Sequence, residues 1–248
     1  QDFVGMLDDV YKKSQSIMYI GDKENANTDS ALVSTKRSLI FNQLNKELYQ
    51  KFFLTTEEIQ ACRDGYIYIH DMTARRDTMN CCLCDVGRVM KDGFEMGNLW
   101  YNEPKALDTA FDVMGDVILN TAAMQYGGFT VPEVDTILAP YAKKTYDKKL
   151  KEYLELTNTD ISDEEGMMKA YDWAWNKTER ECEQGYQGLE YKLNSVGSSR
   201  GDYPFVTLTF GIEQDKFGQM ISKMMLRTHA KGQGKEGYRK PTLFPKLV

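Results

Sequence analysis

Three of the five cysteines, Cys81, Cys82 and Cys84, fall within four positions, and one of the two histidines, His70, stands shortly before them beside Asp71. A thiol gives up a hydrogen atom or a proton without help from a metal, so chemistry is expected in this stretch. Clustered cysteines near a histidine also raise zinc. Adjacent cysteines on a strand diverge, however, and the sequence has no second Cys-x-x-Cys, so no residue is assigned to a metal. The run Tyr66-Ile67-Tyr68-Ile69 favours a pleated backbone, Asp71 to Thr78 is too charged to bury, and a second strand is expected to open at Asn80. On that strand Cys81 shares a face with Leu83, while Asn80, Cys82 and Cys84 take the other. Only one of the adjacent pair can then line a given cavity.

The 248 residues are long enough to bury a substantial core and have an ordinary composition for a globular chain. No apolar run is long enough to span a membrane, and the charged first residues do not form a signal peptide, so a cytoplasmic protein is expected. An odd, clustered cysteine count does not describe a disulfide framework. A net charge of −6 argues against nucleic acid as a partner.

Several elements must position the cysteine stretch. The first twenty residues read as a helix with Val4, Leu7, Val10 and Tyr11 on its apolar side. A polar turn at Glu24 to Asn27 follows, then Thr28, Asp29 and Ser30 as possible caps for a helix with a buried stripe of Ile40, Leu44, Leu48 and Phe52. Thr55 and Glu58 form a capping box for a short helix that Gly65 stops, with Cys62 in the core. Pro104 is expected to be the first residue of a long helix burying Leu107, Phe111, Met114, Ile118 and Ala122, which ends at Gly127-Gly128. Val134 to Leu154 is helical, broken or kinked by Pro140. An acidic connector with a capping box from Ser162 to Glu165 leads into a helix over Met167 to Val196. Tyr203 to Phe210 reads as a buried strand, Phe217 to Ala230 as a methionine-rich helix, and Thr242 to Val248 as the start of another strand. Helices alternating with buried strands indicate an α/β, helix-rich plan, and the closing Phe-Pro-Lys-Leu-Val suggests part of a larger domain.

Collinear runs along almost the whole chain resemble one known family. They are Glu24-Asn25-Ala26-Asn27, His70-Asp71, Asn80-Cys81-Cys82, Gly93-Phe94 with Gly97-Asn98, Pro104-Lys105, Gln125-Tyr126-Gly127-Gly128, Leu138-Ala139-Pro140-Tyr141, Leu189-Glu190-Tyr191, Pro204-Phe205-Val206-Thr207 and Phe244 to Val248. In that order they resemble the catalytic subunit of the anaerobic, class III, glycyl-radical ribonucleoside-triphosphate reductases. The resemblance implies that residues 1–248 form a single partial domain, the first half of a ten-stranded α/β barrel with helices outside, on a dimeric enzyme. It also implies that a preceding regulatory domain is absent. In the family a glycyl radical near the C-terminus takes a hydrogen atom from a loop cysteine, whose thiyl removes the ribose 3′-hydrogen. A cysteine on the first barrel strand then assists loss of the 2′-hydroxyl. Cys81 matches that strand cysteine; the plain alternative is a small buried hydrophobe.

The radical glycine, the thiyl-forming loop and the family's C-terminal zinc-binding cysteines have no counterpart here. The chain alone is therefore expected to be inactive and to bind no cofactor itself. The implied partners are a ribonucleoside triphosphate as substrate, a deoxynucleoside triphosphate as effector, a second copy of the chain and a radical-SAM activase. Substrate-binding candidates are His70, Asn80, the glycines Gly127 and Gly128, whose N–H groups can approach a phosphate, and Ser198 and Ser199 in a second possible cradle. A plain helix stop is the alternative for the glycine pair. Effector-binding candidates are Asn102, where the family carries an acidic residue, Lys105, Lys148 and Glu190; a solvated face is the alternative for the lysines. His229 has no partner legible in the sequence. Two rival functions stay open: a glycyl-radical enzyme of the pyruvate formate-lyase type, whose adjacent cysteines both lie on an interior loop, and a non-catalytic module that dimerises or binds a deoxynucleotide.

Overall fold

The computed structural model describes residues 5, 8, 33–72, 79–198 and 202–248. The expected N-terminal helix, the Glu24 to Asn27 turn, the caps at Thr28 to Ser30 and Ser199 lie outside this set. The chain forms two compact units: residues 1–82, 120–128 and 196–205 in the first, and 83–119, 129–195 and 206–248 in the second.

In the first unit, α1 (Val33–Phe53) is followed directly by α2 (Thr56–Arg63). The capping box at α2 is present: the Thr55 side chain accepts from the Glu58 N–H, and the Glu58 carboxylate accepts from the Thr55 N–H at 2.8 Å. Gly65, at φ 80°, ends the helix, as only glycine does without strain. Three expectations need correction here. The stripe on α1 is not buried: Leu44 and Leu48 are half-buried and Phe52 is exposed. Cys62 is half-buried, on a helix with no buried residue. Tyr66 to Ile69 forms no strand, because the Tyr66 and Ile67 N–H groups turn back onto the Ala61 carbonyl. Tyr66 and Tyr68 consequently point to solvent.

The four-stranded sheet has the order β1 (Cys82–Leu83), β4 (Phe129–Val131), β5 (Val206–Leu208), β6 (Lys246–Leu247). β4 runs parallel to β5 with Phe129 opposite Val206, and β5 parallel to β6 with Thr207 opposite Lys246. Parallel strands need crossover helices that cover their faces, and Phe129, Val131, Val206 and Leu208 are accordingly buried. Between β1 and β4 come α3 (Val86–Met90), the hairpin β2 (Phe94–Met96) and β3 (Leu99–Tyr101), and α4 (Leu107–Ala123). Gly93 begins the hairpin at φ 83°, where a Cβ would sit 2.6 Å from the Tyr101 carbonyl oxygen.

The second unit packs α5 (Val134–Thr157), α6 (Glu164–Ser195) and α7 (Lys216–Lys231) against one another. α4 buries Leu107, Phe111, Met114, Ile118 and Ala122 as its spacing predicts, but starts at Leu107 rather than Pro104. Its first N–H is capped from outside, by the Thr145 hydroxyl of α5 at 2.9 Å. α5 runs unbroken through Pro140, with Leu138, Ala139, Tyr141 and Ala142 buried on either side; burial outweighs the lost backbone bond. α6 is capped by Asp163, whose Oδ1 accepts from the Gly166 N–H at 3.0 Å, and not by Ser162, whose hydroxyl donates to Asp160 instead. The strands at 203–210 and 242–248 narrow to β5 and β6. Among the described residues, no helix is long and apolar enough to cross a membrane.

Candidate active site

The site is built where two segments of the first unit run side by side. Met79 forms a parallel bridge with Gln125, and the Tyr126 N–H donates to the Met79 carbonyl at 3.1 Å. The Gly127 N–H then donates to the Asn80 carbonyl at 2.5 Å, and the Cys82 N–H to the Gly128 carbonyl at 3.0 Å. Residue 127 must be glycine for this approach. A Cβ there would lie 2.2 Å from Asn80 Oδ1 and 2.5 Å from Cys81 Sγ. At Gly128 a Cβ would meet the Phe205 ring at 3.2 Å, so that ring walls the turn.

Cys81 is exposed, and among the described residues its sulfur makes two hydrogen bonds. The Gly128 N–H donates to Sγ at 3.2 Å, and the thiol donates to Asn80 Oδ1 at 3.6 Å. The Gly128 N–H fixes where the sulfur sits, while the Asn80 amide oxygen orients the S–H hydrogen. The two contacts leave an exposed thiol that can hand over a hydrogen or a proton. Cys82 differs. It is half-buried, and burial, then the neighbouring Cys81 charge, pushes its thiol up, away from the reactive thiolate. The alternation holds for the thiols: Cys81 and Leu83 are exposed, Cys82 and Cys84 half-buried. It fails for Asn80, which was expected on the opposite face and instead meets Cys81, because regular strand geometry begins only at Cys82.

The structure therefore brings together Asn80, Cys81, Gly127 and Gly128. Gln125 joins them, unassigned by its residue type alone: its Nε2 donates to the Gly127 carbonyl at 3.2 Å. His70 is 71% exposed, with Nδ1 2.6 Å from Asp71 Oδ2 and its ring edge-on to Tyr68. The Ser198 hydroxyl donates to the Asp202 carboxylate and its N–H to the Asp202 carbonyl at 2.8 Å. A carboxylate so close opposes a phosphate at that hydroxyl.

In the second unit Asn102 and Lys105 are exposed on the segment before α4, and Lys148 is exposed on α5. That segment is tied to α5 by Lys144 Nζ on Glu103 Oε1 at 2.8 Å and by the Thr145 cap on Leu107. The Lys144 hydrogen bond, followed by that from the Asp92 N–H, holds the Glu103 carboxyl below its ordinary range. Burial, with a smaller effect from Glu103, pushes the Tyr141 phenol up to about 12. Glu190 is fully buried and already occupied. Its carboxylate takes His229 Nδ1 at 2.7 Å, the Thr242 hydroxyl at 3.1 Å and the Gln233 side-chain amide. Burial, and then Glu190, push the Tyr186 phenol up. His229 thus has a partner that its own sequence neighbours do not reveal. Among the described residues, no group of three or more His, Cys, Asp and Glu is placed to hold a metal.

The fold is shared with solved anaerobic ribonucleotide reductases. The Thermotoga maritima enzyme crystallised with glycerol in the active site superposes with a TM-score of 0.53 at 17% identity, over 88% of this chain and 36% of that one. The same enzyme in complex with dATP and CTP gives 0.52 at 15% identity, over 90% and 40%. Residues 24–248 match the family model described as anaerobic ribonucleoside-triphosphate reductase, and the chain belongs to that family. Relatives of that name from Enterobacteria phage T4 and Escherichia coli are 35% and 34% identical over 227 residues, 91% of this chain. The chain spans about a third of their length, 36% and 30%.

Proposed function

We propose that the chain supplies the part of an anaerobic ribonucleoside-triphosphate reductase that carries the strand thiol of the reducing step, and that Cys81 is this thiol. The observation that carries the reading is the exposed Cys81 sulfur held between the Gly128 N–H and the Asn80 amide. The family's glycyl radical supplies the hydrogen-atom abstraction that begins the reaction; it and the family's zinc site would come from the length that this chain does not span. Within the chain, Cys81 gives up its one S–H hydrogen as the proton with which the 2′-hydroxyl leaves as water, and the Asn80 amide oxygen holds that S–H in line. The half-buried turn at Gly127-Gly128, which has no Cβ to keep a ligand off its backbone, is read as part of the substrate site, with His70, Ser198 and Ser199 as further candidate contacts. A position between the bridge at Met79 and the strand at Cys82, rather than at a loop tip, supports the reductase over the pyruvate formate-lyase type.

A deoxynucleoside triphosphate effector is proposed at the second unit, with Asn102, Lys105 and Lys148 as contacts and Glu190 acting from within through its buried partners. The solved relative holding dATP and CTP supports a nucleotide-regulated reading. The whole enzyme is read as a cytoplasmic homodimer charged by a radical-SAM activase, and residues 1–248 as one part of its barrel. The test joins the chain to the remaining length of the phage relative and measures anaerobic conversion of CTP to dCTP after activation. Cys81→Ala is expected to lower turnover by about 10²- to 10⁴-fold with nucleotide binding retained. Tight deoxynucleotide binding with no turnover in the unsubstituted protein would instead mark a binding module.

A further inference from the structure

Gln125 is 1% exposed, yet only half of its amide is accounted for. Nε2 donates to the Gly127 carbonyl at 3.2 Å, while the buried Oε1 accepts from no donor among the described residues. Exchanging the two ends would set oxygen against oxygen at Gly127, so the carbonyl itself fixes which end is which. A buried acceptor without a donor is a net cost to the fold, and the sequence carries it beside the candidate thiol.

The position of the gripped carbonyl explains what is gained. The Gly127 carbonyl and the Gly128 N–H belong to one planar peptide unit. One end of that plane is held by Gln125 and the other donates to Cys81 Sγ at 3.2 Å. Glycine on both sides leaves the plane otherwise free to rotate, because neither residue has a Cβ to restrict φ and ψ. We propose that Gln125 is a positioning residue for the Cys81 sulfur: by holding one end of this peptide it aims the other at the thiol. The functional meaning rests on Cys81 being the working thiol, but the geometric claim can be tested without turnover.

The test uses the 248-residue chain as it stands. Gln125→Leu keeps the volume and removes both the grip and the orphaned acceptor, so its melting temperature is expected to stay close to that of the parent. Iodoacetamide labelling is followed by peptide mass spectrometry at Cys81 and at Cys62, a half-buried thiol on α2 of the same unit. An N–H aimed at sulfur stabilises the anion that attacks the reagent, so the Cys81-to-Cys62 rate ratio is expected to fall by about threefold or more. Where Leu lowers the melting temperature, the unbranched Gln125→Met is read in its place. An unchanged or increased ratio, or equal changes at both cysteines, would overturn the positioning role. That result would leave the Cys81→Ala turnover experiment untouched, so the two readings fail separately.

Discussion

Two polar clusters, one in each unit, treat their reactive groups in opposite ways. Around Glu190 every acceptor has been given a donor: His229, Gln233 and Thr242 converge on one fully buried carboxylate, and Asn194 extends the arrangement by bonding the Leu243 and Phe244 N–H groups and the Phe244 carbonyl ahead of β6. Around Cys81, among the described residues, two hydrogen bonds reach a sulfur that is otherwise exposed. A buried charge is tolerable only when its partners are complete, whereas a thiol that must meet a substrate needs one side left open. The complete cluster is suited to holding the sheet and helices, and the incomplete one to chemistry.

The largest expected effect on stability comes from breaking the complete cluster. Glu190→Ala strands several donors in a closed interior and is expected to cost about 3 to 5 kcal/mol, read as a lower urea midpoint of the chain. Gly127→Ala should cost less, about 1 to 3 kcal/mol, because the new methyl collides with Asn80 and Cys81 and their side chains must shift. It should also displace the sulfur, so labelling at Cys81 changes where Glu190→Ala, compared under conditions in which both fold, leaves it alone. The smallest effect is at the exposed edge of the second unit. The Glu103 carboxyl is held low by Lys144, so its contribution is present at neutral pH and disappears as acid takes the pH down through its folded-state value. Glu103→Gln should therefore differ from the parent by at most about 1 kcal/mol at pH 6, and the difference should close as the pH falls below the folded-state value.

Local chemistry explains which parts of this arrangement were legible in the sequence. The apolar spacing of α4, the alternation of Cys81 to Cys84 and the capping box at Thr55 each depend on neighbours a few residues away, and each is present. The family was legible because its motifs recur in order along the chain. What was misread depends on distant partners. Pro104 does not start α4 because Thr145, on another helix, caps it at Leu107. Tyr66 to Ile69 has β-type residues but no ladder, since its leading N–H groups return to Ala61. The His229 partner is 39 residues away in the chain, and no local pattern signals it. Gln125 stood in a recognised run, Gln125-Tyr126-Gly127-Gly128, but its role follows from a buried contact that residue type cannot disclose.

The contrast between the clusters is tested most directly by comparing Cys81→Ala with Glu190→Ala in the completed enzyme, scoring dCTP formed per folded molecule. The prediction is a protein that melts like the parent and makes almost no product for Cys81→Ala, and, for Glu190→Ala, a less stable protein that retains most of the basal turnover per folded molecule measured without a deoxynucleotide effector. Near-normal turnover without the Cys81 sulfur would contradict the account, whatever the Glu190 variant does.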